Sequence, residues 1–323
     1  MHVLTDAQRA PLIFHAKMCI QPNDRRFTML TQQLSAKQDL TADYNWVYDN
    51  LVCEYDPANR VMQFNMNTHP HPSFTPALMH DISSFQKSVM EICEMHKSEG
   101  VASPFDFLVL GSAVPGVYSL GGDLGFFLKC IRGDNREELE AYALLCIDVL
   151  YDNYRNLNQS LRTVALIEGD ALGAAFEAAL SCDVIIAEKG VKIGFPEVVF
   201  NMFPGMGAYS FLSRRIAPAQ VERMINTGKI FTSEELYDLG VIDILAEPGE
   251  TKAALRQFVR KHSRSAMTRD AVLAMRNEVF PLTHDELKRI VLLWVDSAMA
   301  LPERDLKMME RLVKAQAKKM AAA

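Results

Sequence analysis

The chain has little from which to build a disulfide framework, a membrane span or a nucleic-acid surface. Its six cysteines, at positions 19, 53, 93, 130, 146 and 182, are scattered without a C-x-x-C pair. That spacing excludes a stapled secreted scaffold and a zinc ribbon, and it points to reduced thiols in a cytoplasmic setting. No basic segment followed by a long apolar run opens the sequence, so no signal peptide is expected. The uncharged stretch Phe107 to Gly122 is interrupted by Pro115 and by glycines, which argues against a membrane span. Positive charge is in deficit, with 34 Lys and Arg against 40 Asp and Glu for a net charge of −6. No basic patch interleaved with aromatics stands out, so nucleic acid is not an expected partner. There is no internal repeat, and only the terminal alanines are of low complexity. Metal-ligand patterns are equally thin. His69-Pro70-His71-Pro72 reads as a proline-stiffened loop with no Cys or carboxylate cluster beside it, and Cys93 and His96 read as packing residues of a helix. No metal and no cofactor is expected.

What is present is apolar bulk and alternation. At 323 residues and 49% hydrophobic composition the chain can bury a large core as one or two domains. Residues 1–40 lack a clear period and read as an extension of uncertain order, followed by a core over 41–249 and a helical region over 250–323. Trp46-Val47-Tyr48, Leu51-Val52-Cys53 and Val61 to Met66 read as successive strands with a turn at Asp56-Pro57-Ala58-Asn59. Leu78, Ile82, Phe85, Val89 and Ile92 recur at helical spacing over Pro76 to Ser98. Strands and helices then alternate to about residue 245, which argues α/β with mainly parallel pairing. Beyond Gly249 the pattern is helical over Lys252–Lys261, Thr268–Val279, Asp285–Ala300 and Arg304–Met320, with Ile290, Leu293, Trp294, Ser297 and Ala298 on one face of the third. The last helix carries Lys307, Arg311, Lys314 and Lys318 at i, i+4, i+7 and i+11, a basic stripe on an acidic chain. Such a stripe is usually a solvated face, and an acidic carrier protein is the partner it would suit, with Arg214-Arg215 contributing from another face.

The chemistry concentrates in Thr163 to Ser210. Val164 to Ile167 suits a strand buried on both faces. The turn Asp170-Ala171-Leu172-Gly173 then feeds a helix beginning Ala174-Ala175-Phe176-Glu177. The unpaired N–H groups at such a start carry partial positive charge and hold an oxyanion, and small residues let a carbonyl approach. A second strand, Val184 to Ala187, returns through Lys189-Gly190 to Val191-Lys192-Ile193-Gly194, and Pro196 opens another helical segment with Glu197 just inside it. Upstream, strand Phe107 to Leu110 leads into Tyr118-Ser119-Leu120-Gly121-Gly122-Asp123, where Asp123 caps a helix Leu124 to Ile131. A second inward N–H is expected from Leu120, giving an oxyanion hole of two backbone donors. A glutamate in a first helical turn is also what the helix dipole alone would select. Two of them following this glycine turn, in this order, favour acid/base chemistry.

Leu120-Gly121-Gly122-Asp123, Gly173-Ala174-Ala175-Phe176-Glu177 and Phe195-Pro196-Glu197 together resemble the enoyl-CoA hydratase/isomerase (crotonase) superfamily, over roughly residues 45–319. Within it, Phe176 to Cys182, Pro196-Glu197-Val198, Phe203 to Ser210 and Trp294 to Met299 are similar to the bacterial diffusible signal factor (DSF) synthases. The resemblance implies a crotonase-like spiral of ββα units with a C-terminal helical region that covers the acyl pocket and makes oligomer contacts. It implies Glu177 and Glu197 as the catalytic pair, Leu120 and Ala174 as oxyanion-hole donors, and Gly121, Gly122, Gly173 and Trp294 around the substrate. The family usually has glycine where Ala174 stands, so a positive φ there would be strained.

The activity implied is dehydration of a 3-hydroxyacyl chain on acyl carrier protein, then thioester hydrolysis to a free cis-2-unsaturated fatty acid. Glu197 would take the C2 proton and Glu177 would protonate the departing hydroxyl, one carboxyl being kept neutral by an apolar surround. Two other readings stand beside it. One is a conventional enoyl-CoA hydratase or isomerase acting on acyl-CoA. The other is an inactive crotonase-fold protein serving as regulatory partner of a sensor kinase or a synthase. By analogy the chain would form homo-oligomers, trimers or larger.

Overall fold

The computed structural model describes residues 44, 46–68 and 70–321, which belong to one compact unit, Tyr44–Ala323. The extension expected over residues 1–40, and His69 of the His-Pro pair, lie outside the described residues.

A hairpin opens the unit: β1 (Leu51–Asp56) pairs antiparallel with β2 (Val61–Met66). Asp56 accepts from the N–H groups of Ala58 and Asn59, which closes the turn. Val47, expected in a strand of its own, makes only an isolated bridge to Val52. Helix α1 (Pro76–Ser98) starts where Thr75 caps Leu78 N–H, with proline in its first turn, and buries Leu78, Ile82, Phe85 and Val89.

From there the chain repeats a strand in a large sheet, a short strand in a second sheet, and a helix. Strand β3 (Phe107–Ser112) is followed by β4 (Val117–Ser119), α2 (Leu124–Arg132) and α3 (Arg136–Tyr154). Strand β5 (Arg162–Ile167) is followed by β6 (Asp170–Leu172) and α4 (Ala174–Leu180). Strand β7 (Val184–Glu188) is followed by β8 (Lys192–Gly194) and a 3-10 turn, Glu197–Phe200. Helices α5 (Ala208–Leu212) and α6 (Pro218–Thr227), strand β9 (Ile230–Thr232), helix α7 (Ser233–Asp238) and strand β10 (Ile244–Ala246) complete the core. The large sheet has six strands in the order β1-β2-β3-β5-β7-β10, parallel from β2 onward. The small one has four, β4-β6-β8-β9. This is the crotonase-like α/β spiral with a helical C-terminal region.

Strand β5 is buried at every position, as a strand covered on both faces must be. One face meets the main core, and the other meets Leu255, Phe258 and Val259 of α8 (Thr251–Arg264). After α9 (Ala266–Val279), helix α10 (His284–Met299) lies along α3, and α11 (Glu303–Ala321) along α2. The buried face of α10 is Leu287, Val291, Trp294, Val295 and Ala298. Leu293, expected on that face, is 59% exposed. A helix covering a core on one side cannot bury both 293 and 295, whose side chains stand about 200° apart. Among the described residues, no helix is long and apolar enough to cross a membrane.

Candidate active site

The small sheet builds the site. Parallel pairing places Ala171 opposite Ile193 and Leu172 opposite Gly194, so β6 and β8 end side by side. Gly173 N–H donates to Gly194 O at 2.9 Å and continues that register by one residue. Because β4 runs parallel to β6, the Leu120-Gly121-Gly122 turn emerges next to Leu172-Gly173-Ala174. Three turns distant in sequence thus share one edge. Asp170 to Gly173, expected as a turn, contains strand β6, and the residues leading into the Gly121-Gly122 turn contain β4. Strands of three residues carry too little alternation to be read from pattern.

Gly173 is the pivot. It adopts φ 56° and ψ −125°, which a side chain would not tolerate, and a Cβ there would lie 2.4 Å from Glu197 Oε1. The missing side chain is therefore the space in which the Glu197 carboxylate sits. Ala174, the next residue, is not among the positive-φ positions, so its methyl group is unstrained and its N–H opens α4 with no backbone acceptor.

Leu120 requires a correction. Its N–H donates to Pro72 O at 2.7 Å and is already spent. Gly121 N–H donates to Ser119 Oγ at 3.2 Å. The N–H of Gly122 has no protein acceptor among the described residues, and with Ala174 N–H it forms the pair of free donors at this edge. The Gly-Gly pair was the signal; which of its N–H groups remains free depends on Pro72, far away in sequence. The same turn starts α2 as expected, Asp123 accepting from Phe126 N–H at 3.0 Å.

Glu177 and Glu197 line one cleft of about 280 Å³ together with Gly121, Gly122, Gly173, Ala174, Phe127 and Trp294, partly open to solvent. Glu177 is 1% exposed, and its Oε1 accepts from Ala208 N–H at 3.0 Å. Burial pushes its carboxyl up to about 7, with the N–H groups of Ala208 and Met206 pulling the other way. Glu197 is half-buried as a residue, yet its Oε2 is buried with no protein partner among the described residues. Burial first, and the Glu177 charge second, push its carboxyl up to about 8. Ala208 and Met206, missed in the sequence, thus set the ionisation of one member of the pair. Trp294 forms a wall: its ring centroid lies 5.1 Å from that of Phe127 at 72°, and a Cβ on Gly205 would meet its ring at 2.4 Å.

Behind Ala174 and Met206, which line both spaces, a small apolar cavity of about 30 Å³ lies between α1, α3 and α4. On the opposite side, Leu312, Ala315 and Gln316 of α11 form part of the cleft wall. The stripe Lys307, Arg311, Lys314 and Lys318 is exposed on that helix and makes no ion pair among the described residues. The acids of the helix are engaged elsewhere, Glu303 and Glu310 with Arg132 and Asp305 with Arg304. Arg214 and Arg215, expected to contribute from another face, are engaged in ion pairs within the fold. Arg214 clamps Glu286, and Arg215 holds Asp243 and Cys182 O. Cys93 bonds Ser103, and His96 bonds Ile92 O; among the described residues no group of His, Cys, Asp or Glu could hold a metal ion.

Two buried carboxyl groups and two N–H groups without a protein acceptor among the described residues thus share one largely apolar cleft. Residues 58–289 match the enoyl-CoA hydratase/isomerase family, and the chain belongs to that family. It is similar to an enoyl-CoA isomerase/hydratase of Mycosarcoma maydis, 36% identical over 152 residues, 46% of this chain and 54% of that protein. A probable mitochondrial enoyl-CoA hydratase of Arabidopsis thaliana is 32% identical over 143 residues, 44% of this chain and 45% of that protein. The chain thus spans about half the length of these curated relatives. Human mitochondrial delta3-delta2-enoyl-CoA isomerase shares the fold with a TM-score of 0.68 at 18% identity, covering 84% of this chain and 99% of that one.

Proposed function

We propose that the cleft adds water to, or removes it from, the C2–C3 bond of a fatty acyl thioester. The observation that carries this reading is the pair of carboxyls, both raised by burial, that share a largely apolar cleft with two unspent backbone N–H groups. In the hydration direction, ionised Glu177 takes a proton from water as its oxygen bonds to C3. The π electrons move onto the thioester oxygen, held by the N–H groups of Gly122 and Ala174, and protonated Glu197 delivers its proton to C2. Dehydration is the reverse: Glu197 takes the C2 proton, and Glu177 protonates the leaving hydroxyl. The pair shares one proton, and moving it from one carboxyl to the other costs about 1.4 kcal/mol per unit of difference in pKa.

The likeness of Phe203 to Ser210 and Trp294 to Met299 to DSF synthases supports a second step, hydrolysis of the thioester to a free 2-enoic acid. The same two N–H groups would hold the tetrahedral oxyanion formed when water attacks C1. In that reading the substrate rides on acyl carrier protein, and the unpaired stripe of α11 beside the cleft suits either that acidic protein or the phosphates of CoA.

The test is to incubate the protein with 3-hydroxyacyl and 2-enoyl chains on CoA and on carrier protein, and to identify products by mass spectrometry. Interconversion of the thioesters, reduced about 10³-fold in Glu177→Gln and in Glu197→Gln, is the expected result. Free 2-enoic acid would add the hydrolytic step. No turnover on either carrier would overturn the proposal.

A further inference from the structure

The donor at Gly122 belongs to the peptide unit between Gly121 and Gly122, and two glycines in succession are the least restrained backbone on which to place one. Gly121 adopts φ 95°, and a Cβ on it would lie 2.7 Å from Leu172 O and 3.4 Å from Ala174 N, so this turn is packed against the second donor. What holds the turn is the segment that precedes α1. Leu120 N–H and Ser119 Oγ both donate to Pro72 O, at 2.7 and 3.1 Å. Phe74 N–H donates to Gly121 O at 2.8 Å, and Phe74 pairs with Gly122 as an isolated parallel bridge.

The last of these bonds sets a direction. A peptide unit is planar and, away from proline, trans, so its C=O and N–H point opposite ways. Fixing Gly121 O on Phe74 N–H therefore fixes where Gly122 N–H points, and the bond polarises that same peptide. Phe74 is held in turn by its own carbonyl, which accepts from Tyr142 OH at 2.6 Å. Tyr142 stands on α3, outside the loop, and is 5% exposed. Its ring is fixed between those of Phe126 and Phe127, with centroids at 5.1 and 5.5 Å. That ring lines the cleft, while the hydroxyl is spent on Phe74 O. Burial pushes the phenol well above its usual range, so it stays a donor. A phenylalanine would fill the same space between the two rings, and the hydroxyl is what ties α3 to the turn.

We propose that Tyr142 is the positioning residue of the oxyanion hole: by holding Phe74 O from a helix, its hydroxyl keeps Phe74 N–H on the Gly121 carbonyl and Gly122 N–H aimed at the thioester oxygen. The hydroxyl touches no reacting atom and acts through Phe74 and the Gly121–Gly122 peptide. This inference rests on the acyl-thioester reading above and adds to it the side chain that sets the strength of one of its two donors.

The test reads carbonyl polarisation directly. The probe is a saturated acyl analogue in which a methylene group replaces the thioester sulfur, isotopically labelled at the resulting ketone carbonyl and carried on CoA and on carrier protein; it can be neither dehydrated nor hydrolysed. Its C=O stretch is compared free and bound by infrared difference spectroscopy. In the wild type the stretch is expected to fall on binding. Tyr142→Phe keeps the ring between its neighbours and is expected to fold, which a thermal melt checks. It should lose about half of that shift, with kcat for thioester interconversion about tenfold lower and KM changed less than about threefold. Gln86→Leu is the structural control. Gln86 Nε2 donates to Val149 O at 3.0 Å, a buried side-chain bond to a carbonyl outside the turn, and its loss should leave shift and kcat as they are. If Tyr142→Phe keeps the full shift and the wild-type kcat, or if Gln86→Leu loses as much, the positioning role is overturned. If the wild type binds the probe without a shift, or on neither carrier, the function proposed above fails first and the positioning role with it.

Discussion

Two buried carboxyl sites at opposite ends of the parallel strands are handled in opposite ways. At the start of β7, Asp183 is 7% exposed at its side chain and lies 3.4 Å from both Arg162 and Arg276. Burial pushes its carboxyl up, and the two guanidinium groups pull it back. At the other, where β6 and β8 stop, Glu177 and Glu197 have no cation among the described residues, only each other and a few backbone N–H groups. A charge with a structural task is paired, whereas one with a chemical task is left exchangeable, because a cation would pin both carboxyls in the ionised form.

The contrast is broken most severely by neutralising the structural site. Asp183→Asn leaves two guanidinium groups facing an amide and is expected to cost about 3 to 5 kcal/mol in denaturant unfolding. Glu197→Gln should do the opposite. Its folded value of about 8 lies above the unfolded one, so its ionisation destabilises the fold progressively as pH rises between the two. The variant should therefore gain about 3 kcal/mol near pH 8, a figure reduced for the residue's partial exposure, and the gain should vanish toward pH 4. A loss at the second position equal to that at the first would refute the distinction.

Gly173→Ala tests the pivot. A methyl group at 2.4 Å from Glu197 Oε1, on a positive φ, should displace that carboxylate and lower kcat about 100-fold, with KM changed less. A smaller effect is expected from pH. Hydration needs Glu177 ionised, so kcat/KM should rise through about 7, and it needs Glu197 protonated, so the rate should fall above about 8. A profile flat from pH 5 to 10 would contradict the assignment. The mildest change concerns the outer wall. Arg311→Glu with Lys314→Glu should raise KM about threefold to tenfold for a phosphate-bearing carrier, weakening as salt is added, with kcat nearly unchanged.

Much of this was legible in one dimension. Thr75 before Pro76 and the spacing of Leu78, Ile82, Phe85 and Val89 mark α1 to the residue, because capping and amphipathic periodicity are local properties. Strands β2, β3, β5 and β7 of the large sheet were readable as apolar runs for the same reason, whereas the three-residue β10 was not. The small sheet was not, since its strands gain their identity from pairing rather than from pattern. The misplacement of the oxyanion donor at Leu120 has that origin, as does the silence about the N–H groups of Ala208 and Met206.

Sequence by itself therefore determined the family, the α/β alternation, the two glutamates and the glycine-rich turns that precede them. Each is a matter of residue type and order along the chain. Only the tertiary structure decided that Gly122 rather than Leu120 keeps a free N–H, and that burial raises the carboxyls of both Glu177 and Glu197. Hydrogen-bond satisfaction and burial belong to groups brought together from distant positions, and they exist only once the chain has folded.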